Sequence, residues 1–253
     1  LSLLFVPPAE GGGMEIIMVF AVICAGGIGS RMGNAEKPKQ YLNVGGKPII
    51  LHTIEKFVVN EEFEKIIVLV PESWISYTKD IINKHLQGIE KVEVMAGGSD
   101  RNSTIMNAIN YIEEKFTLDD DTIIVTHDAV RPFVTHRIIM DNIEAAVKVG
   151  ACDTVIPATD TIVESLDGEK ISSIPDRSKV YQGQTPQSFR AKRLKELYLS
   201  LTDEEKAILT DAAKIYLLKG EAVHLVRGEV FNIKITYPYD LTVAETLINT
   251  DRE

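Results

Sequence analysis

Arg31 and Lys39 stand within one loop of a glycine cluster, Gly26, Gly27, Gly29 and Gly33, that ends the apolar run Val19-Phe20-Ala21-Val22-Ile23-Cys24-Ala25. Glycines let the backbone turn tightly and bring its N–H groups close to a ligand. Successive N–H groups of such a turn form a concave anion site, and the two side chains add full positive charge. That chemistry suits the triphosphate of a nucleotide. A dinucleotide fingerprint is excluded because Met32 occupies the third glycine position, where glycine permits close helix–strand packing. A Walker A loop fails too, for want of its lysine. In isolation the stretch would equally serve as a plain strand and turn with solvated cations.

A second string, Gly97-Gly98-Ser99-Asp100-Arg101-Asn102-Ser103-Thr104, opens a predicted helix. Its hydroxyls and helix N-terminus can donate to a nucleotide, or Ser99 or Asp100 can simply cap the helix. Asp128, in Thr126-His127-Asp128-Ala129-Val130-Arg131-Pro132, is a lone carboxylate at a strand end. It reads either as a turn former or as a ligand for Mg²⁺, which takes hard oxygens from one or two carboxylates and from substrate phosphates. Arg131 can meet a substrate phosphate or tie its loop. Lys234 sits between Ile233 and Ile235, so strand alternation turns it the other way, free to face phosphates. His127 and His52 are candidate acid–base groups, but no Ser-His-Asp or Cys-His set accompanies them.

With 253 residues, 45% of them hydrophobic, the chain can bury a large core. Its net charge of −10 argues against a general nucleic-acid surface, so cations for an anionic substrate must be concentrated locally. Cys24 and Cys152 lie in apolar runs and read as buried thiols of a reducing compartment. Residues 1–17 read as an N-terminal extension, without the basic start or cleavage site of a signal peptide. No membrane association is expected, and the location predicted is cytoplasmic.

The elements that must position these groups follow from periodicity. Strands are predicted at 65–70, 91–95, 122–126 and 152–157, with helices at 48–59, 74–86, from the 97–104 string to about 115, and at 137–148 between them. This alternation gives an α/β fold, a doubly wound and mostly parallel, Rossmann-like sheet over a single domain of residues 18–250. Ligands of such sheets sit beyond the carboxyl ends of the strands, where the Gly26 loop, the Gly97 loop and Asp128 all fall. Residues 159–184 alternate, turn at Asp167-Gly168 and extend again, predicting a protruding β-hairpin arm. Beyond it are predicted helices at about 192–199, 211–218 and 240–248 and strands at 222–226 and 231–236, with Thr202 and Glu205 forming a capping box.

The string G-G-x-G-S-R-M-G followed by K-P-K-Q-Y, with H-D-A-x-R-P, T-P-Q-x-F and N-I-K, resembles the signatures of cytidylyltransferases acting on sugar and polyol phosphates. The resemblance implies the nucleotide-diphospho-sugar transferase fold and Mg²⁺ held by Asp128. It implies CTP binding by Cys24, Ala25, Gly26, Gly27, Gly29, Gly97, Gly98, Ser99, Arg101 and Thr104. Arg31, Lys39, Arg177 and Lys234 become the catalytic set, the first two stabilising charge on the α-phosphate. Arg131, Thr161, Arg177 and Thr185 become acceptor contacts, with Thr161 and Arg177 reaching across a homodimer from the arm. Phe231 departs from the pattern, for the methylerythritol branch often carries Asp there. The strings Y-Q-G-Q-T-P-Q, I-L-T-D-A-A-K-I and V-T-H-D-A-V-R-P-F look more like the ribitol branch.

The expectation is that CTP and D-ribitol 5-phosphate give CDP-ribitol and pyrophosphate, feeding polyol-phosphate wall polymers such as teichoic acid. The alternatives are 2-C-methyl-D-erythritol 4-phosphate as acceptor, and a non-catalytic nucleotide-binding protein. The attacking phosphate monoester is already ionised near neutral pH, its second pKa being about 6. No general base is then required, and catalysis rests on positioning and charge stabilisation.

Overall fold

The structure, a computed structural model, describes residues 17–27 and 37–250. Arg31 and Gly29 of the glycine loop therefore lie outside the described residues, as does most of the N-terminal extension. Seven strands form one sheet in the order β5-β4-β1-β6-β8-β7-β9. They are β1 (Val19–Cys24), β4 (Phe63–Val70), β5 (Val92–Ala96), β6 (Ile123–Asp128), β7 (Ala151–Pro157), β8 (Tyr181–Arg190) and β9 (His224–Arg227). The short β2 (Asn43–Val44) and β3 (Lys47–Pro48) make a separate ribbon.

β1 pairs in parallel with β4 and β6, and β4 with β5. β8 runs antiparallel to both of its neighbours, β6 and β7. The mostly parallel, doubly wound sheet expected from the alternation is thus present, with one reversed strand inside it. β1 and β6 are buried on both faces because helices cover both sides, and their residues are apolar up to the last half of β6. One face packs on α1 (Ile49–Val58), α2 (Ile75–His85) and α4 (His136–Val149), with Ile54, Phe57, Ile82 and Ile139 buried against Ala21, Ile23 and Val125. The other face packs on α3 (Arg101–Lys115), α5 (Ala191–Leu199) and α7 (Ala213–Leu218), with Ile105, Ile109, Leu194 and Ile215 against Phe20, Val22 and Phe189. Between α5 and α7, α6 (Asp203–Ala207) carries the Thr202–Glu205 capping box expected from the sequence.

Two expectations are corrected. Residues 231–236 form no strand. Val130, Ile235 and α8 (Pro238–Thr250) enclose a third small core there, and the segment is held by individual bonds rather than a ladder. Asn232 Nδ2 donates to Gln184 Oε1 and the Thr185 carbonyl, and the Ile235 amide donates to Val130. The arm is also less regular than a hairpin. A single antiparallel bridge, Glu164 to Ser173, joins its two sides, and Asp167 closes the turn by accepting from the amides of Glu169 and Lys170. Val163, Leu166, Ile171 and Ile174 are exposed along it. Cys24 and Cys152 are free thiols as expected, though only Cys152 is fully buried.

Candidate active site

A cleft of about 290 Å³ opens at the carboxyl edge of the sheet. Cys24, Ala25, Gly26 and Gly27 line it from the end of β1, Gly98, Ser99, Asp100, Arg101 and Thr104 from the start of α3, and Asp128 from the end of β6. Lys39, Gln40 and Lys234 complete it. Strings far apart in the chain therefore meet where a parallel sheet places its ligands.

The K-P-K-Q string is explained by what its side chains hold. Gln40 Nε2 donates to the Ala25 carbonyl at 2.6 Å, pinning the exit of β1. Lys39 Nζ donates to the Ile235 carbonyl at 3.0 Å, bringing the irregular 228–236 segment to the same place. Alternation in that segment works as expected even without a strand: Ile235 is buried, and Lys234 turns outward to put Nζ 2.9 Å from Asp128 Oδ2.

The second glycine loop is shaped by its own side chains. Asp100 caps α3 by accepting from the Ser103 amide, and Ser103 Oγ accepts from the Asp100 amide. Thr104 Oγ1 donates to the Asp100 carbonyl at 2.7 Å and accepts from the Gly98 amide at 2.9 Å. The hydroxyl of Thr104, a residue expected to bind CTP, is thus bonded within the loop. Gly98 is required for close approach, since a Cβ there would lie 2.4 Å from Ser103 Oγ and 2.7 Å from its carbonyl carbon.

Asp128 sits among three cations. Arg101 Nε lies 3.5 Å from Oδ1, while Arg131 Nε and Lys234 Nζ lie 3.4 and 2.9 Å from Oδ2. Burial alone would raise its pKa, but the charges of Arg101, Lys234 and Arg131 outweigh that and hold the carboxyl well below the usual carboxylate range. It is ionised at any physiological pH. An ionised carboxylate facing an anion-binding cleft has the donor chemistry for Mg²⁺, whose remaining ligands would come from water and substrate phosphate. Among the described residues no group of three or more His, Cys, Asp or Glu side chains is arranged so that it could hold a metal ion by itself. Phe231, exposed and away from the cleft, supplies no second carboxylate.

Three residues singled out in the sequence are bonded to the scaffold around Asp128. Arg131 is buried, and its Nη1 donates to the Asn232 carbonyl at 2.8 Å; it ties the Lys234 segment to Asp128 rather than presenting a free guanidinium. The Thr185 hydroxyl accepts from the Asp128 amide at 3.1 Å and lies 2.9 Å from His127 Nδ1, so it buttresses the carboxylate from behind. His127 Nε2 faces the Arg131 carbonyl at 3.0 Å. A carbonyl only accepts, which puts the proton on Nε2 and makes Nδ1 the acceptor for Thr185. Burial pushes the His127 pKa down to about 4, so the ring is a neutral strut and not an acid–base group. His52 bonds the Val44 carbonyl, outside the cleft.

Thr161 and Arg177 lie on the arm, exposed and away from the cleft lining. Arg177 Nη1 donates to the Thr159 carbonyl. Within one chain the structure does not bring them to Asp128. Sequence reasoning also missed Gln187 and Asp153. Gln187 Oε1 accepts from Arg101 Nη1 at 3.0 Å, and Asp153, a carboxylate inside the apolar strand Ala-Cys-Asp-Thr-Val-Ile-Pro, is pushed up to about 7 by burial. A charge in such a run was the available signal.

Residues 19–250 match the family model described as IspD, 2-C-methyl-D-erythritol 4-phosphate cytidylyltransferase. Among solved structures, 4-diphosphocytidyl-2C-methyl-D-erythritol synthase from Anaerococcus prevotii is similar at 27% identity and a TM-score of 0.76, over 92% of this chain and 96% of that one. The 2-C-methyl-D-erythritol 4-phosphate cytidylyltransferase of Francisella tularensis is similar at 28% identity and a TM-score of 0.74, over 90% and 99% of the two chains. That of Thermus thermophilus is 25% identical with a TM-score of 0.68, over 90% and 98%. A model match that runs from β1 through α8 takes in every motif of the cleft: the chain belongs to the 2-C-methyl-D-erythritol 4-phosphate cytidylyltransferase (IspD) family and is a nucleotidyltransferase.

Proposed function

We propose that the chain transfers the cytidylyl group of CTP to D-ribitol 5-phosphate, giving CDP-ribitol and pyrophosphate. The observation that carries the transfer is the meeting of Lys39 and Lys234 in one cleft beside Asp128. Both cations face the place where a triphosphate must lie between the two glycine loops. A phosphate oxygen of the acceptor attacks the α-phosphorus as the bond to pyrophosphate breaks. Lys39, Lys234 and, by resemblance, Arg31 stabilise the charge that builds on the α-phosphate oxygens. Mg²⁺ at Asp128 would supply further neutralisation of the triphosphate. With His127 neutral and bonded on both nitrogens, the attacking phosphate supplies its own negative charge and needs no base.

Ribitol 5-phosphate rests on the strings Y-Q-G-Q-T-P-Q, I-L-T-D-A-A-K-I and V-T-H-D-A-V-R-P-F. A second reading has a specific observation in its favour: the family description and the names of the Francisella and Thermus neighbours specify 2-C-methyl-D-erythritol 4-phosphate, and the Anaerococcus neighbour is named for diphosphocytidyl-methylerythritol; the comparisons support that acceptor better than ribitol phosphate. We further propose a homodimer in which the arm carries Thr161 and Arg177 to the partner's cleft. The exposed apolar row on the arm supports it. Among the described residues no helix is long and apolar enough to cross a membrane, and a cytoplasmic location remains part of this proposal.

Pyrophosphate release with CTP, Mg²⁺ and each acceptor decides the matter. Turnover with ribitol 5-phosphate alone is the expected result. Turnover with methylerythritol phosphate alone establishes the second reading, and none with either leaves only nucleotide binding. For the arm, mixing Lys234→Ala with Arg177→Ala protein should restore part of the activity through hybrid dimers. No recovery despite subunit exchange rules out completion of the site in trans.

A further inference from the structure

Arg101 meets Asp128 through Nε and Gln187 through Nη1. Because the Gln187 amide oxygen faces the guanidinium, its NH₂ group must face away, and it lies on the side of Asp153, whose carboxyl Gln187 favours in its charged form against the effect of burial. Asp153 and Gln187 are direct cross-strand partners on β7 and β8, so their side chains lie side by side. A buried amide can flip at constant volume. Flipped, Gln187 would set its NH₂ against a guanidinium, donor to donor, and Arg101 would lose its hold. The acceptor on Asp153 removes that alternative.

We propose that Asp153 is a positioning residue for the transfer: it orients the Gln187 amide, which holds Arg101 against Asp128. The row runs from the cleft through β8 to β7, the strand that continues into the arm. It is kept at a cost, for Arg101 Nη2 and Asp153 Oδ1 are buried with no hydrogen-bond partner, and unpaired buried polar groups are destabilising. A carboxylate tolerated on such terms in an apolar strand serves the site rather than the core.

The inference rests on the proposed transfer only in treating Asp128 as part of the reacting centre, so its test has a readout independent of turnover. In the full-length, ligand-free protein, ¹⁵N NMR follows solvent exchange of the Arg101 Nε–H, while steady-state assays follow kcat and KM. Asp153→Asn, whose side-chain oxygen accepts the same bond, should stay within about threefold of wild type in both. Asp153→Leu should speed exchange and lower kcat by about tenfold or more, with KM for CTP within about threefold, a loss typical of a supporting-shell residue. Gln187→Leu should cost as much, and the double variant no more than either alone. Should the leucine variants fail to fold, Gln187→Glu keeps the volume but opposes two carboxylates. It should lose activity alone and regain it in the Asp153→Asn background. Unchanged exchange in Asp153→Leu, multiplying losses in the double variant, or no rescue of Gln187→Glu would each overturn the assignment. Absence of turnover in the wild type would sink the proposed function instead, leaving the exchange measurement to judge the row.

Discussion

Lys39 Nζ donates to the carbonyl of Ile235, one residue beyond Lys234, at 3.0 Å. The bond ties the two cation-bearing segments, one after the first glycine loop and one near the C-terminus, into a single side of the cleft. Lys39→Ala should therefore remove a charge and also loosen the segment that carries Lys234. We expect Lys39→Ala and Lys234→Ala each to lower kcat by about 10²–10³, the range for loss of one preorganised transition-state donor. Only Lys39→Ala should speed amide exchange across residues 230–236. Equal exchange in both variants would mean that the Lys39 bond bears no load.

His127 is held at both nitrogens and its pKa lies near 4. Its ring should stay neutral, with the proton on Nε2, in NMR spectra recorded down to about pH 5, and the pH–rate profile should show no limb from it above that point. The unfolded chain takes up the proton near its ordinary value of 6.5 while the folded chain does not. Stability is thus lost as pH falls from about 6.5 towards 4. A His127 imidazole resonance titrating near 6.5 in the native protein would contradict this assignment.

Asp153 gives the opposite slope. Burial raises its pKa from 3.8 to about 7, so between these values the unfolded chain is ionised and the folded chain keeps its proton. Stability then falls as pH rises through this window, and the penalty is complete above about 7. Asp153→Asn should raise the melting temperature at pH 8, by a stabilisation on the order of 1–3 kcal/mol, and have little effect at pH 4. A melting shift independent of pH would show that the carboxyl is not buried as the fold implies.

Gly98→Ala tests the second loop. The added carbon would strike Ser103, both side chain and backbone, so the first turn of α3 must move away from the cleft. KM for CTP should rise about tenfold or more, since misplacement by ~1 Å can cost 10²-fold, and the melting temperature should fall, because backbone as well as side chain must give way.

Much of this was legible in the chain itself. The cores of the strands ending at Cys24, Val70 and Asp128 (Val19–Cys24, Ile66–Val70 and Ile123–Val125) are apolar because both faces are covered, and that pattern marks a parallel sheet with its ligand edge. The alternation about Lys234 foretold its direction although no ladder forms there; one buried residue, Ile235, is enough to orient its neighbour. What escaped was the direction of short side chains. Thr104 and Thr185 are of the right type to meet a ligand, but sequence does not say whether a hydroxyl faces the cleft or the scaffold, and both bond the scaffold. For Arg131 the chain left two readings open, a substrate phosphate or its own loop, because the partner that orients it, Asn232, lies about a hundred positions away. The arm read as a hairpin because its strands alternate, yet one bridge is all that two exposed strands sustain without a core.

The crowding of Arg101, Arg131 and Lys234 around one carboxylate has a kinetic side. The molecule as a whole carries −10, so a distant triphosphate is repelled, and attraction begins only within a screening length, about 8 Å at physiological ionic strength. Added salt weakens the outer repulsion as well as the inner pull. Capture of the nucleotide should then vary little with ionic strength, unlike steering by a uniformly basic face, and the positive field is reserved for anions that have already found the mouth of the cleft.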